Sequence, residues 1–423
     1  MNRIKREDGV LWKISCLGRS LADYRIVYPE TSDLGEYFVA LDLRYHLFYD
    51  MGADVPVVSD AESETEYEIL IGETDRGGKK AEKGTFLIRA EGTKLFVSAN
   101  DLCGFLEADD YLVHDLLPEA DGQALLTEGF LLTRAVTSRI PEKKGEFRML
   151  LQNIWGVDWG PDHMANRDLY AAALLLSYEP DLLFVNEYWT AMRKIGRFQT
   201  SILRNGYEEV SPENWTEPNN LPIYYRKGAW RQIECRCYDL RGEDSSKTIT
   251  LAVLEHIASG KRMSCCCTHL EASWNCAPEV GNIRRINDVR LLLPLLEDLE
   301  RRYPDAPFLF GADCNCCVGS TPLNRLFAAG LKDAHEIAPD RDDFNTGHAY
   351  PIYDETLGYY VEPTPNRANN GYRGGIDHIF CKGGIEPRVY RTVWGDFASM
   401  YSDHYAVMMD FDVPGTGEKG ETT

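Results

Sequence analysis

Apolar and polar residues alternate along the whole chain, but their spacing changes near residue 140. Before that point, EYFVALDLRYHLFYDMG repeats apolar residues at the spacing of one helix face and stops at Gly52, which predicts a helix. YEILIG predicts a short strand, GTFLIRAEGTKLFVSAN predicts a hairpin that turns at Gly92, and LEADDYLVHDLL predicts another helix. Residues 1–136 are therefore predicted to form a small α+β domain.

From Phe147 onward, short continuous apolar runs alternate with longer helical segments. FRMLLQNIWG, RDLYAAALLLSYEP and DLLFVNEYW predict a strand, a helix and a second strand, and unbroken apolar strands indicate a sheet that is covered on both faces. The charged segment TSRIPEKKGE at 137–146 has no apolar period and predicts a linker. We therefore predict a second domain at 147–412, followed by a disordered tail at 413–423.

Composition narrows the possible partners and compartment. A formal net charge of -22 disfavours non-specific adhesion to polyanions, although a local basic groove would still be compatible with it. The sequence contains no apolar run of about 18 residues, and its start lacks the apolar core of a secretory signal. A cytoplasmic protein without a transmembrane segment is predicted, and its oligomeric state stays open.

The 12 cysteines are concentrated in apolar, strand-like runs such as CCC at 265–267 and CNCC at 314–317. Buried reduced thiols that pack as small hydrophobes are the favoured interpretation. A zinc site would need C-x-x-C pairs repeated at a distance, and the sequence lacks them. Disulfides and zinc are therefore the less favoured alternatives.

Polar residues recur where the strands of the second domain end. Six such ends carry only Asn, Glu, Asp and His: Asn153, Glu187, His269, Asp313 with Asn315, Asp377 with His378, and Asp403 with His404. Carboxylate and amide oxygens suit hard divalent cations, while imidazole donates to or accepts from a reacting oxygen. Brought to one edge of a sheet sandwich, these side chains would form a metal site with acid and base groups.

The motifs QNIWG, NEYW, THL, GADCN, GGIDHIF and SDHYAV occur in this order, and together they resemble the endonuclease/exonuclease/phosphatase superfamily. The resemblance covers about residues 147–412. It implies an α/β fold, a four-layered sandwich of two mixed sheets flanked by helices, and a metal-dependent phosphoester hydrolase. The pattern YEILIGETDR followed by GTFLIRAEGTKLFVSAN resembles the N-terminal accessory domain of bacterial alpha-glucuronidases.

The resemblance also implies a metal site. Glu187 would be the principal Mg²⁺ ligand, Asn153 would bind beside it or through water, and Asp403 would complete the network on the metal side. Mg²⁺ retains several waters and needs few protein ligands. Mn²⁺ is the alternative cation.

The other matched positions would act on the phosphate. Asp313 would orient or deprotonate the attacking water, and Asn315 would hold a phosphate oxygen or that water. His404 would contact the scissile phosphate with its tautomer fixed by Asp377, and His269 would flank the phosphate from the other side. Such a set serves in-line hydrolysis of a phosphoester.

Three functions stay open on the sequence. The favoured one is hydrolysis of a small or lipid- or sugar-derived phosphoester, either a diester or a monoester. A DNA or RNA nuclease is less favoured, because NGYEEVSPENWTEPNN at 205–220 is acidic where such nucleases usually carry Arg and Lys. The third is an inactive binding or scaffold protein. For Arg167 and Arg285, solvated ion pairs are favoured over phosphate binding. Arg373 is equally consistent with a structural role and with substrate contact.

Overall fold

A computed structural model gives the structure of the chain. It describes residues 11–32, 34–136, 142–156, 167–240, 247–272, 276–342, 346–347, 351–354, 357, 359–361, 375–393 and 401–413. The chain divides into two compact units, Met1–Glu142 and Lys143–Thr423, which are described separately.

The first unit is built around a six-stranded sheet. Its described strands are β1 (Ser15–Cys16), β2 (Arg19–Ser20), β3 (Arg25–Tyr28), β4 (Val57–Ser59), β5 (Glu68–Ile71), β6 (Thr85–Glu91), β7 (Lys94–Ala99) and β8 (Leu131–Ala135). Its described helices are α1 (Leu34–Met51), α2 (Leu102–Tyr111) and α3 (Leu117–Ala120). The sheet order is β4-β3-β5-β7-β6-β8, and β1 pairs with β2 apart from it. The small α+β domain predicted from the sequence is confirmed.

The second unit contains two larger mixed sheets. Its described strands are β9 (Phe147–Asn153), β10 (Leu182–Asn186), β11 (Tyr207–Glu209), β12 (Ile223–Arg226), β13 (Trp230–Asp239), β14 (Thr248–His256), β15 (Arg262–His269), β16 (Phe308–Asp313), β17 (Lys332–Asp333), β18 (Asp340–Arg341), β19 (Ile352–Asp354), β20 (Tyr359–Val361), β21 (Asp377–Lys382), β22 (Glu386–Val393) and β23 (Ala406–Asp412). One sheet has the order β11-β12-β10-β9-β23-β22-β18 and the other β13-β14-β15-β16-β21-β17, while β19 and β20 form a separate pair.

The two sheets pack face to face through one apolar core. Met149 and Leu151 of β9 meet Cys265 and Cys267 of β15 in this core, together with Leu309 of β16. Because side chains alternate along a strand, these residues form inward rows with a period of two. The same rows set which strand-end residues face the space between the sheets.

Helices cover the outer faces of both sheets. The described helices of this unit are α4 (Arg167–Ser177), α5 (Thr190–Ile195), α6 (Arg197–Arg204), α7 (Pro278–Arg302), α8 (Thr321–Ala328) and α9 (Ala334–Ile337), of which α9 instead places Ala334 in the core between the sheets. Leu292 and Leu296 of α7 join Leu323 of α8 in a second core against the outer face of the six-stranded sheet. Helix α4 connects the parallel neighbours β9 and β10. The inner face of these two strands is occupied by the core between the sheets, so α4 covers their outer face. The predicted four-layered α/β sandwich is therefore confirmed.

A buried ion pair joins neighbouring strands of the seven-stranded sheet. Arg148 of β9 donates from Nε to Asp410 Oδ1 of β23 at 2.6 Å and from Nη2 to Oδ2 at 2.9 Å. Breaking such a bidentate ion pair is strongly destabilising, because the remaining charge would stay buried without its counterion. It explains the charged residues inside two otherwise apolar strands.

The twelve cysteines are free, and Cys265, Cys266 and Cys267 are fully buried. Burial raises the pKa of each of these three thiols. Among the described residues, no helix combines the length and the apolar character needed to cross a membrane.

Candidate active site

The polar cluster continues the inward rows of the sandwich. Asn153 follows Leu151 by two residues, His269 follows Cys267 by two, and Asp313 stands in the row that begins with Leu309. Parallel pairing brings His269 of β15 opposite Asp313 of β16. The site is thus the polar end of the core between the two sheets.

Two residues of the site have backbones in the left-handed region. Glu187 has a φ of 58° and Asn315 a φ of 51°, a conformation that residues other than Gly seldom adopt. Glu187 directly follows the last residue of β10, so this turn changes the direction of the chain at the edge of the sheet. Backbone strain of this kind is commonly found at functional sites.

Gly156 of the QNIWG motif supports the Glu187 turn. Its N–H donates to the Glu187 carbonyl oxygen at 3.0 Å, and a Cβ at this position would lie 2.3 Å from that same oxygen. Only Gly permits this close approach of two backbones. The motif therefore places Asn153 and holds Glu187 at the same time.

Asp313 lies at the centre of the hydrogen-bond network. Its Oδ2 accepts from Asn153 Nδ2 at 3.0 Å, and its Oδ1 accepts from the Asn315 backbone N–H at 2.9 Å. Its own N–H donates to Asn186 Oδ1 at 2.8 Å. Burial, together with the charge of nearby Asp377, raises the pKa of Asp313. The hydrogen bonds fix the carboxylate in place, whereas burial and the charge of Asp377 favour its acceptance of a proton.

His404 is paired with a buried carboxylate. Its Nδ1 lies 2.7 Å from Asp377 Oδ2, and its Nε2 lies 3.8 Å from Asp313 Oδ2. Burial alone would lower the pKa of His404, but the charges of Asp377, Asp403 and Asp313 outweigh it and raise that pKa well above its usual range. This shift favours the imidazolium form, whose Nε2–H can donate to an anion.

His269 stands in the opposite electrostatic setting. Its Nε2 lies 2.9 Å from Asn315 Nδ2 and 3.1 Å from Lys247 Nζ, while its Nδ1 lies 3.8 Å from Glu187 Oε1. Burial and the positive charge of Lys247 lower the pKa of His269 well below its usual range. The pKa values of the two imidazoles are therefore shifted in opposite directions, toward the neutral ring in His269 and toward the charged ring in His404.

The donor set fits a hard divalent cation. Oxygen and nitrogen donors of Glu187, His269 and Asp313 lie within 4.8 Å of one another, as do those of Asp313, Asp377 and His404. Asp403 Oδ1 is buried and accepts no hydrogen bond. Burial raises the pKa of Asp403 to about 7, with Glu187 and Asp313 contributing. A bound cation would neutralise this group of carboxylates, so the residues and the group match.

The structure brings seven of the eight predicted site residues into one network of close contacts: Asn153, Glu187, His269, Asp313, Asn315, Asp377 and His404. Asp403 precedes His404, and its pKa responds to charges of the same network. Their roles in binding and catalysis stay predictions. His378 points to the other face of β21, where its Nδ1 lies 2.7 Å from Asp333 Oδ2.

Sequence reasoning missed three residues that hold the site together. Asn186 Nδ2 donates to the Thr268 carbonyl at 3.1 Å and so connects the two sheets, while Gln152 Nε2 donates to the His404 carbonyl at 2.9 Å. Each directly precedes a predicted site residue, in the pairs Gln152–Asn153 and Asn186–Glu187. A second polar residue at the end of an apolar strand was therefore a signal that the sequence offered. Lys247 directly precedes β14, lies far from any motif and gave no such signal.

The predicted solvated ion pairs of Arg167 and Arg285 are wrong. Arg167 is fully buried, donates to the carbonyls of Tyr401 and Trp155, and lies over the Trp155 ring. Arg285 is also buried and donates to the Glu271 carbonyl at 3.0 Å. Both connect loops near the site, because a guanidinium satisfies several carbonyls at once. Arg373 lies outside the described residues.

No protein-family model and no curated protein matches the chain. Solved structures similar to it include an endonuclease/exonuclease/phosphatase from Bacteroides vulgatus, with 16% identity and a TM-score of 0.47 over 63% of this chain and 99% of that one. A mannosyl-6-phosphatase from Bacteroides thetaiotaomicron has 14% identity and a TM-score of 0.47 over 63% and 99%. The human Nocturnin catalytic domain has 16% identity and a TM-score of 0.47 over 63% and 93%.

Proposed function

We propose that the second unit hydrolyses a phosphoester with the help of a bound divalent cation, with Mg²⁺ favoured over Mn²⁺. The observation that carries the proposal is the convergence of carboxylates, amides and two imidazoles of opposite charge state at one edge of the sandwich. Phosphoryl transfer needs an oriented water, neutralisation of the phosphate oxygens and stabilisation of the leaving group. This set of side chains can supply each requirement.

Glu187 is the proposed main ligand of the cation, with Asn153 and Asp403 on the same side. When bound, the cation would act as a Lewis acid on the phosphate oxygens. Among the described residues, the Glu187 carboxylate accepts one hydrogen bond, from Trp189 Nε1 at 3.3 Å, which leaves lone pairs for a ligand. Asn153 Oδ1 accepts from the Trp155 N–H at 2.9 Å, which fixes the direction of the amide.

Asp313 is the proposed base that orients the attacking water. Contacts from Asn153 and Asn315 hold its carboxylate in place, and its raised pKa makes it a better proton acceptor than an exposed Asp. Asn315 Nδ2 donates to the Leu270 carbonyl at 3.0 Å, so its Oδ1 is the free end of the amide. That oxygen can accept a hydrogen bond from the same water.

His404 is the proposed donor to the scissile phosphate. As an imidazolium it donates from Nδ1 to Asp377, which leaves the Nε2 proton for a phosphate oxygen or the leaving group. His269, being neutral, can donate one hydrogen bond without adding charge. The two rings would approach the phosphate from different strands.

The loop before β12 supports a small substrate, including one derived from a lipid or a sugar. The Tyr188 N–H, one residue after Glu187, donates to the Asn220 carbonyl at 3.0 Å, so the end of the acidic segment 205–220 lies beside the site. Glu213 and Glu217 are exposed there. Their charge would repel a long polyanion, so we favour a small phosphoester over DNA or RNA. The accessory role of the first unit stays a prediction from its sequence pattern.

A substrate panel tests this proposal. The full chain is incubated with Mg²⁺, with Mn²⁺ or with EDTA and offered bis-p-nitrophenyl phosphate, sugar and inositol phosphates, sphingomyelin, DNA and RNA. We expect hydrolysis of at least one small phosphoester that EDTA abolishes. Preferential cleavage of DNA or RNA would contradict the substrate class, and activity that survives EDTA would contradict the role of the cation.

A further inference from the structure

Lys247 is a buried lysine that extends into the proposed site without any role assigned above. Only 6% of its surface is exposed. Its Nζ donates to the Leu270 carbonyl at 2.8 Å and lies 3.1 Å from His269 Nε2. An ammonium group has three donors and no acceptor, so its contact with the ring can only be a donated hydrogen bond.

A second donor points at the same ring nitrogen. Asn315 Nδ2 lies 2.9 Å from His269 Nε2. The orientation of this amide is determined independently, because the same Nδ2 donates to the Leu270 carbonyl at 3.0 Å. Two donors that both face Nε2 require a lone pair there, and the proton of the neutral ring then lies on Nδ1.

One neighbouring acceptor favours the other tautomer. Asp313 Oδ2 lies 3.2 Å from His269 Nε2 and could accept a proton from it. That oxygen already accepts from Asn153 Nδ2 at 3.0 Å. A proton on Nε2 would also point at the N–H groups of Lys247 and Asn315 at close range. The ring would then gain one hydrogen bond, to Asp313, and lose the two from Lys247 and Asn315. The balance therefore favours the tautomer with Nδ1 protonated.

We propose that Lys247 is a positioning residue that holds His269 in the Nδ1–H tautomer and so turns a hydrogen-bond donor toward the substrate. His269 Nδ1 lies 3.8 Å from Glu187 Oε1, on the side of the site where the cation and the phosphate are proposed to bind. The inference rests on the proposed function for its effect on catalysis. The tautomer itself follows from the contacts alone.

The consequence for catalysis is a directed hydrogen bond. With Nδ1 protonated, His269 donates to a phosphate oxygen, whereas the other tautomer would present a lone pair to that oxygen and repel it. Lys247 would act through the ring and need not touch the substrate. Removing its ammonium should therefore lower kcat more than it raises KM, because orientation of the phosphate matters most in the transition state.

Two substitutions separate this role from simple packing. Lys247→Met keeps the length of the side chain but removes every donor, and Lys247→Arg keeps the donors. Lys332→Met, on the exposed side chain of a lysine in β17, is the matched control. The full chain is labelled with ¹⁵N in its imidazole rings, and His269 is assigned by the signal that disappears in His269→Gln.

The ¹⁵N shifts distinguish the protonated ring nitrogen from the bare one. We expect His269 to be protonated at Nδ1 in the wild type, in Lys247→Arg and in Lys332→Met, and to shift toward Nε2–H in Lys247→Met. On a hydrolysed phosphoester, Lys247→Met should lose roughly 10-fold in kcat, the scale of residues that orient a functional ligand, and Lys247→Arg should recover most of it.

A wild-type ring protonated at Nε2, or a Lys247→Met ring that keeps the Nδ1 proton, would overturn the inference. The wild-type spectrum decides the first point even if Lys247→Met fails to fold. Failure of the proposed function gives a different result, in which the tautomer follows Lys247 as expected but the wild type hydrolyses nothing in the panel. Unchanged kcat in an active Lys247→Met protein with a shifted tautomer would overturn the catalytic part.

Discussion

The contact between Asp377 and His404 determines what the imidazolium can offer to a substrate. Asp377 Oδ2 accepts from His404 Nδ1 at 2.7 Å, and the Asp377 N–H donates to Thr346 Oγ1 at 3.1 Å. The carboxylate is thus fixed at both its backbone and its side chain. It keeps the Nε2–H of the ring directed at the site, as a carboxylate does for a functional histidine.

Asp377→Asn should reduce turnover without weakening cation binding. The neutral amide no longer stabilises the imidazolium, so we expect a fall in kcat of about 10- to 100-fold, smaller than that caused by His404→Ala. Steady-state kinetics and calorimetric Mg²⁺ titration measure the two effects. Asp333→Asn is the control, since Asp333 binds His378 outside the site and its loss should affect stability rather than kcat. Equal losses of kcat in both variants would contradict this role of Asp377.

Gly156→Ala should displace the Glu187 turn. The added methyl group would lie 2.3 Å from the Glu187 carbonyl, and backbone must move to relieve the clash. A displacement of about 1 Å can cost roughly 100-fold in rate, so we expect lower Mg²⁺ affinity and a large loss of activity. Gly311→Ala is the control, because its methyl group would meet the side chains of Met149 and Phe184 in the core. Gly311→Ala should lower thermal stability more than cation affinity. A Gly156→Ala protein with wild-type cation affinity would rule out this function of the glycine.

At the residue scale, the sequence predicted side chains that follow apolar runs. Asn153 and Asp313 stand where buried strands end, so their polarity alone marked them. Lys247 could not be found this way, since a lysine before a strand is ordinarily solvated. Its contact with His269 depends on tertiary packing of β14 beside β15. The predicted solvated ion pair of Arg167 is wrong for the same reason, because no local pattern shows that two loop carbonyls accept hydrogen bonds from its side chain.

At the scale of elements, helix α7 carries charges with opposite effects on stability. Asp288 is buried and its Oδ2 accepts from the Glu271 N–H at 2.9 Å. Burial raises the pKa of Asp288 from 3.8 to about 6. Asp298 is partly exposed and accepts hydrogen bonds from Arg302 and Arg301, which lower its pKa. The burial of an acid depends on what the helix packs against, so the local sequence of α7 does not tell which of its acids is buried.

Asp288→Asn should stabilise the protein more at pH 8 than at pH 4. The raised pKa contributes stability that is fully present below about pH 4 and is lost as the pH rises through about 6, since the buried group must then be charged. By linkage, the difference between the two pH values is at most about 3 kcal/mol in the free energy of unfolding. Urea denaturation at both pH values measures it. Asp298→Asn should show the opposite sign, and a pH-independent effect of Asp288→Asn would refute this explanation.

At the scale of the whole molecule, the two sheets are what bring distant segments together. Residues separated by more than 200 positions, such as Asn153 and His404, reach one site because β23 pairs antiparallel with β9. The alternation of apolar strands and helices predicted a sheet that is covered on both faces, whereas the four layers were implied by the resemblance to the endonuclease/exonuclease/phosphatase superfamily. The order of strands within each sheet could not be predicted, because it depends on long-range pairing that no local pattern records.

The central claim is that this edge of the sandwich is a metal-dependent site for phosphoester hydrolysis. Its most direct test is the rate of hydrolysis of one small phosphoester across a Mg²⁺ titration, for the full chain, Glu187→Gln and His404→Ala. Both variants should lose at least ~100-fold, the low end for a positioned acid or base. Excess Mg²⁺ should partly restore Glu187→Gln, because weakened binding responds to concentration, and should not restore His404→Ala. Undiminished turnover in His404→Ala, or wild-type activity independent of Mg²⁺, would contradict the claim.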